Sequence, residues 1–210
     1  MTVDKTAGLN PDIQPLADAM PESRATSPAS PAIPTSPTSP INLALPALQQ
    51  ALTSLQLGQE LRLFGDIYTM RDAGHLRCLE YLEAHGELPF GLAGQALFYA
   101  GPTPPAAGRP FGAIGPTTSA RMDIAARALY AAGITLTLGK GRRSAAVEQA
   151  CRDHQALYAV TVGGAAALLA RYVAQAELVA WPDLGPEALY RLELAGLPAW
   201  VAIDTQGRQL

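Results

Sequence analysis

The stretch ITLTLGKGRRSAAVEQACRDHQALYAVTVGG, residues 134–164, carries the pattern that decides the fold. Residues 134–138 and 157–161 are short and apolar, as buried strands are, and residues 145–154 between them have helical spacing. Glycine-rich turns follow both apolar segments. Because two apolar strands joined through a helix are typical of a parallel pair, the stretch predicts a mixed α/β domain.

The same alternation continues on both sides. Upstream it predicts strands at 61–65 and 67–70 separated at Gly65-Asp66, a helix at 71–85, a strand at 96–100 and a helix at 121–132. Downstream it predicts a helix at 165–173, a strand at 177–181, a helix start at Pro186 and a last strand at 199–205. In the first helix, Leu76, Leu79 and either Leu82 or Glu83 fall at three- and four-residue spacings and should face the core, and Gly86 should end the helix.

Residues 1–42 differ from the rest of the chain in composition. Proline recurs every third residue from Pro28 to Pro40 among serine, threonine and alanine. Few large apolar side chains are present to offset the entropy of ordering, so we predict a disordered, partly polyproline-like tail. A docking ligand for a groove is the alternative to a plain linker. The folded domain is then residues 43–210.

Composition and charge exclude several classes of protein. The chain has 210 residues, 49% of them hydrophobic, and a net charge of −3, which argues against nucleic-acid binding through a large basic face. Cys78 and Cys151 lack C-x-x-C spacing and encode neither a disulfide framework nor a self-sufficient metal site. The apolar run 156–170 is shorter than the ~20 residues of a membrane helix, and no signal pattern precedes it. We therefore expect a cytoplasmic protein without membrane contact.

Three short segments place a cation at a strand end or a helix start. They are TMRDAGH (69–75), GPTTSARMD (115–123) and GKG (139–141). In open α/β domains, the loops at the carboxyl ends of strands face a common crevice. Three cations there would suit a small dicarboxylate, since arginine and lysine make charge-assisted hydrogen bonds to carboxylates.

Each of these segments also has a structural interpretation. Arg71 could pair with a surface carboxylate, and His75 could be a packing histidine. The hydroxyls of 117–119 could cap a helix. Lys140 could be a solvated loop residue, and we expect Arg142 and Arg143 to be solvated as well. The Gly-x-Gly around the lysine does not have the spacing of a phosphate-binding loop.

These motifs, together with AGPTP (100–104) and in this order, resemble the C-terminal domain of class I fumarases. The same domain occurs as the β subunit of two-subunit fumarases and L(+)-tartrate dehydratases. Segments 162–170, 183–187 and 203–207 extend the similarity to nearly all of residues 50–210. The resemblance implies a swivelling β/β/α domain and a reaction that adds water to, or removes it from, a dicarboxylate. Met70 and Gly74 depart from the motif, where alanine-like residues are more usual.

The resemblance also implies roles for individual residues. Thr117 matches the residue that abstracts a proton from carbon. A threonine hydroxyl is a poor base, so it would need nearby cations and exclusion of solvent. The positions that match carboxylate-binding residues are Arg71, Arg121 and Lys140, whose charge would also stabilise the aci-carboxylate formed when the proton leaves. The supporting positions are Asp72, His75, Thr118 and Ser119, the last two capping the helix and orienting the loop.

In that family, three cysteines of the other domain or subunit hold a [4Fe-4S] cluster whose open iron acts as a Lewis acid. This chain lacks that cysteine set. We therefore expect it to ligate no metal and to work with an iron–sulfur α subunit in a heterodimer or heterotetramer. The favoured hypothesis is the β subunit of a fumarate hydratase.

The alternatives are an L(+)-tartrate dehydratase or mesaconate-type β subunit, a non-catalytic assembly module, and a nucleic-acid binder. The last would use Lys140, Arg142 and Arg143, and the acidic balance of the chain disfavours it.

Overall fold

A computed structural model describes residues 39–105 and 111–210. The predicted tail, apart from its last four residues, lies outside them. The described strands are β1 (Ile41–Ala44), β2 (Glu60–Thr69), β3 (Ala96–Phe98), β4 (Leu136–Gly139), β5 (Leu157–Val160), β6 (Val173–Ala180) and β7 (Leu189–Ile203). The described α-helices are α1 (Leu48–Ala51), α2 (Asp72–His85), α3 (Asp123–Ala131), α4 (Ala145–Asp153) and α5 (Ala166–Leu169). No helix among these residues is long and apolar enough to cross a membrane.

The seven described strands form one mixed sheet in the order β1-β2-β3-β4-β5-β7-β6. Neighbouring strands from β1 to β5 are parallel, whereas β7 runs antiparallel to β2, β5 and β6. Because β7 pairs with both β2 and β5, strands β2, β3, β4, β5 and β7 close into a ring. The predicted mixed α/β fold with several parallel pairs is confirmed.

Two apolar clusters pack against the sheet. Side chains of β3 alternate between them, as the period of two requires: Leu97 belongs to one cluster, and Ala96 and Phe98 belong to the other. Helix α1 packs against the Phe98 cluster through Leu48. Helices α2, α3 and α4 cover the Leu97 cluster, and the segments with candidate functional residues lie next to the amino termini of these helices in the chain.

Helix α2 is confirmed, and Gly86 ends it in the left-handed conformation, at φ +76°. Its predicted apolar face is wrong at Leu76, which is 52% exposed. The buried residues are Gly74, His75 and Cys78, and the helix approaches the backbone of the 182–187 turn at Gly74. A Cβ at residue 74 would lie 2.5 Å from the carbonyl oxygen of Glu187, which gives a physical reason for glycine at this position.

The break predicted at Gly65-Asp66 is wrong, because β2 pairs with β7 from residue 60 to residue 69. Gly65 stays within the strand at φ +92°, a conformation that glycine adopts easily. The register between β2 and β7 shifts between Leu63 and Phe64. The predicted break therefore corresponds to an irregularity within a continuous strand.

The helix start predicted at Pro186 is also wrong. Pro186 lies inside a 3₁₀ turn, Pro182–Glu187, that is kinked at Gly185, and β7 follows directly. Strand β7 is held between β2 and β6 along its first half, and this pairing on both edges outweighs local propensity. The helix predicted at 165–173 shortens to α5 and a 3₁₀ turn, and β6 begins at Val173.

Candidate functional site

Hydrogen bonds connect the start of α2 with the loop before α3. The backbone N–H of Thr117 donates to the carbonyl of Tyr99, just after β3, at 2.8 Å. Arg121 lies in the 3₁₀ turn Ser119–Met122 that leads into α3. Its Nη2 donates to Thr117 Oγ1 at 2.7 Å and to Asp72 Oδ2 at 2.9 Å. The structure thus brings together the proposed base, one proposed carboxylate ligand and one proposed supporting residue.

Arg71 directly precedes α2 and faces the turn before β7. Its Nη2 lies 3.5 Å from Oε1 of Glu187, and the other oxygen of this carboxylate accepts the Ala73 N–H at 2.8 Å. Glu187 therefore satisfies a donor at the helix amino terminus, where no local side chain provides a cap. Sequence reasoning assigned Glu187 no role. No local signal could have found the contact, since 114 residues separate it from Ala73.

Lys140 is attached to the Thr117 loop through its backbone. Residues 118 and 140 form a parallel bridge, and the Ser119 N–H donates to the Lys140 carbonyl at 3.1 Å. The Lys140 N–H donates in return to Ser119 Oγ at 3.0 Å. Lys140 is half-buried as a residue, and its ammonium group makes no hydrogen bond or ion pair within residues 39–105 and 111–210. Lys140 is thus the proposed ligand without a competing partner in this part of the chain.

The expected helix cap of Thr118 and Ser119 is wrong. Thr118 occupies the cap position of the 3₁₀ turn, but its exposed side chain makes no capping hydrogen bond. Ser119 is buried inside the turn, and its hydroxyl accepts from the Lys140 N–H. The backbone bridge to residue 140 directs the serine hydroxyl toward the neighbouring loop.

His75 lies beneath the start of α2. Its Nδ1 is 2.8 Å from the Arg71 carbonyl oxygen and must donate to it, because a carbonyl can only accept. The ring packs edge-on against Tyr99, at 5.1 Å between centroids. Burial lowers the pKa of His75 to about 4, so the ring is neutral near pH 7. Its buried Nε2 has no hydrogen-bond partner among the described residues.

The expectation that Arg143 is solvated is wrong, whereas Arg142 is exposed. Arg143 Nε donates to Asp123 Oδ1 at 2.6 Å, and its side chain is fully buried. The guanidinium group lies 5.0 Å from the ring centroid of Tyr99 and 4.8 Å from that of Tyr158. Arg143 is buried because a carboxylate and two aromatic faces replace its hydration. It is therefore unavailable to a nucleic-acid interface.

The described residues do not fit an iron–sulfur cluster. Within them, no group of three His, Cys, Asp or Glu side chains is placed to hold a metal ion. Cys78 and Cys151 are both buried, and burial raises the pKa of each thiol to about 11. Two thiols are also fewer than the cysteine set that an iron–sulfur cluster needs.

Comparison with known proteins identifies the family of this chain. A model of the fumarase C-terminus matches residues 13–210, and the chain belongs to this family. It is 36% identical over 169 residues to the anaerobic class I fumarate hydratase of Escherichia coli K12, and equally to fumarate hydratase 1, mitochondrial, of Leishmania major. Each match covers 80% of this chain and 31% of the relative, so the chain spans about a third of those enzymes.

A second kind of relative is close to this chain in length. The beta subunit of the L(+)-tartrate dehydratase of Escherichia coli K12 is 34% identical over 174 residues, which cover 80% of this chain and 85% of that subunit. The family thus includes both long fumarate hydratases and a separate subunit of a dehydratase.

Proposed function

We propose that this chain is the β subunit of a two-subunit class I fumarate hydratase, which interconverts fumarate and L-malate together with an iron–sulfur α subunit. Family membership and the size match to a separate beta subunit support this proposal. The [4Fe-4S] cluster would belong to the α subunit and supply Lewis-acid chemistry there, since the described residues of this chain do not fit it. The observation that carries the proposal is the Arg121 to Thr117 hydrogen bond of 2.7 Å.

Thr117 would exchange the proton at the substrate carbon. In the direction of malate dehydration, the alkoxide of Thr117 takes the proton from carbon, and in hydration the hydroxyl returns it. A guanidinium group that donates to the oxygen favours the alkoxide, because a nearby positive charge stabilises the charged form. Arg121 is 48% exposed, so a partner that excludes water would strengthen this effect.

Arg71, Arg121 and Lys140 would bind the two substrate carboxylates. Arg71 contacts Glu187 and Arg121 contacts Asp72, but these pairs are partly solvated. Exposed ion pairs contribute only about 0–1 kcal/mol, so a substrate carboxylate can share or displace them at little cost. The same positive charge would stabilise the aci-carboxylate when the proton leaves carbon.

The test is reconstitution of the full chain with an iron–sulfur α subunit under anaerobic conditions, with fumarate absorbance followed over time. Thr117→Ala should lower kcat by about 10²–10⁴-fold, the usual contribution of a positioned acid–base group. Thr135→Val is the matched control. Thr135, which directly precedes β4, is also half-buried, and its hydroxyl bonds to the carbonyls of Gly94 and Gln95. Full activity of Thr117→Ala would favour the non-catalytic assembly module instead.

The second candidate is the β subunit of an L(+)-tartrate dehydratase, favoured by the 85% coverage of that subunit. The same reconstituted complex decides between the two. Turnover of tartrate without turnover of fumarate or malate would replace the fumarate proposal and leave the proposed base in place. A mesaconate-type substrate is assayed in the same way.

A further inference from the structure

Two hydroxyl groups, those of Ser119 and Tyr158, form a hydrogen-bond chain beside the backbone of Lys140. The Lys140 N–H donates to Ser119 Oγ at 3.0 Å. Ser119 Oγ lies 3.0 Å from the hydroxyl of Tyr158, and this hydroxyl lies 2.8 Å from the carbonyl oxygen of Gly141. This hydrogen-bond chain therefore begins at the amide of residue 140 and ends at the carbonyl of residue 141.

The number of protons determines the direction of these bonds. A backbone carbonyl can only accept, and a tyrosine hydroxyl has one proton, so Tyr158 donates to Gly141. The Ser119 hydroxyl is then the donor to Tyr158 and still accepts from Lys140. Burial raises the pKa of Tyr158 to about 12, so the phenol keeps its proton at neutral pH. A single arrangement of donors and acceptors thus gives every polar group of this hydrogen-bond chain a partner.

The residues around the two hydroxyl groups hold them in place. The Tyr158 side chain is fully buried, with the guanidinium group of Arg143 over its ring at 4.8 Å. Gly139 leaves the room that the serine hydroxyl occupies, because a Cβ at residue 139 would overlap Ser119 Oγ. Gly141, at φ +82°, takes the left-handed conformation that the turn after Lys140 requires. The backbone at Lys140 is therefore constrained on both sides, while its ammonium group has no partner in the described part of the chain.

We propose that Tyr158 and Ser119 are positioning residues that hold the Lys140 loop so that its ammonium group meets a substrate carboxylate. This role rests on the proposed function, in which Lys140 binds the substrate. Both side chains are buried, so neither hydroxyl would touch the substrate. They set the conformation of residues 140 and 141 and hold the lysine loop against the Thr117 loop.

The first test needs only the full chain by itself. Amide hydrogen exchange is measured at Lys140 in the wild type, Tyr158→Phe and Ser119→Ala. Exchange should be about 3- to 10-fold faster in both variants, the effect of losing one net hydrogen bond. Tyr130→Phe is the matched control, because Tyr130 is buried in the same cluster and its hydroxyl bonds Thr137 and the carbonyl of Leu157, which are both strand residues. It should leave exchange at Lys140 unchanged.

The second test uses the complex reconstituted with an iron–sulfur α subunit and fumarate as substrate. Tyr158→Phe should raise KM by about 3- to 10-fold, since a misplaced carboxylate ligand weakens substrate binding, and it should also lower kcat, since the charge of Lys140 stabilises the aci-carboxylate. Tyr130→Phe should keep both constants. A purely structural effect would lower the amount of folded protein and leave KM unchanged.

Three results would overturn the proposal: unchanged exchange at Lys140 in the two loop variants, an unchanged KM for Tyr158→Phe in an active complex, or an equal KM increase in Tyr130→Phe. If Tyr158→Phe does not fold, Ser119→Ala carries both tests. If the wild-type complex turns over no dicarboxylate, the proposed function fails. The exchange comparison still decides whether the two hydroxyls hold the loop.

Discussion

Two arginine–aspartate pairs each have one member at the start of α3, and the pairs differ sharply in their surroundings. Arg121 contacts Asp72 at 2.9 Å, and Arg143 contacts Asp123 at 2.6 Å. The side chains of the first pair are 48% and 37% exposed, whereas those of the second are 0% and 17% exposed. The two pairs have similar contact distances, but their exposure to solvent differs.

The difference shows which pair can exchange its partner. The second oxygen of Asp123 accepts the Ser144 N–H, and two tyrosine rings flank Arg143, so the buried pair is closed to other ligands. Arg121 instead shares its Nη2 between Asp72 and the hydroxyl of Thr117, in contact with water. We infer that the buried pair stabilises the fold, and that the exposed pair is available to a substrate.

Replacement of Arg143 should have the largest effect on stability. Arg143→Ala leaves the Asp123 carboxylate without its buried partner and opens a gap between two tyrosines, so we expect a loss of about 3 to 5 kcal/mol in the free energy of unfolding. Urea unfolding measures it. Arg127→Ala, an exposed arginine of α3, should stay within about 0.5 kcal/mol of the wild type. A loss below about 1 kcal/mol for Arg143→Ala would contradict the distinction between the pairs.

His75 interacts electrostatically with one member of each pair, Asp72 and Arg143. Its pKa is about 4 when folded and about 6.5 when unfolded, so the unfolded chain binds more protons between these values. Stability should therefore fall as pH drops from 6.5 to 4, by about 2 to 3 kcal/mol from this residue. His75→Gln should remove that part of the pH dependence, measured by urea unfolding across the range. An identical pH profile in the variant would show that the histidine is not buried as a neutral ring.

Replacement of Arg121 should affect activity far more than stability. Arg121→Ala should lower kcat/KM of the reconstituted complex by about 10²-fold, because a charge that stabilises the transition state is lost. Its free energy of unfolding should change by less than about 1 kcal/mol, as for other exposed ion pairs. Arg127→Ala is again the control and should keep full activity. A stability loss as large as that of Arg143→Ala would remove the contrast.

Salt should give the smallest effect. Raising the ionic strength to about 0.5 M should reduce the stability difference between the wild type and Arg121→Ala by a few tenths of a kcal/mol, toward zero, since exposed charges are screened. The difference for Arg143→Ala should persist, because screening acts weakly on a buried pair. Urea unfolding at low and high salt measures both. Equal salt dependence would mean that the two pairs share one environment.

Much of the fold could be predicted from local patterns. Helices α2 and α4 and strands β4 and β5 lie within one or two residues of the sequence expectation, because periodicity and glycine stops act over a few residues. Strand β7 could not be predicted along its full length. Pairing with β2 and β6 stabilises its first half, and this pairing depends on segments far away in sequence.

The candidate site could likewise be predicted only in part. Arg71, Thr117, Arg121 and Lys140 were candidates because each lies in a short motif at a strand end or helix start. Their roles remain proposals, but the structure places them on adjoining segments, with Arg71 connected through the contact of its neighbour Asp72 with Arg121. Glu187 and Tyr158 could not be found from sequence, since their contacts are made across long sequence separations.

The sequence by itself determined the fold class and the segments that carry the candidate chemistry, because hydrophobic periodicity and turn residues are local signals. Only the tertiary structure decided the environment of each cation. It buried Arg143 between two aromatic rings and left Arg121 partly in water beside Thr117. Solvation depends on which distant groups pack around a side chain, and no local pattern specifies that.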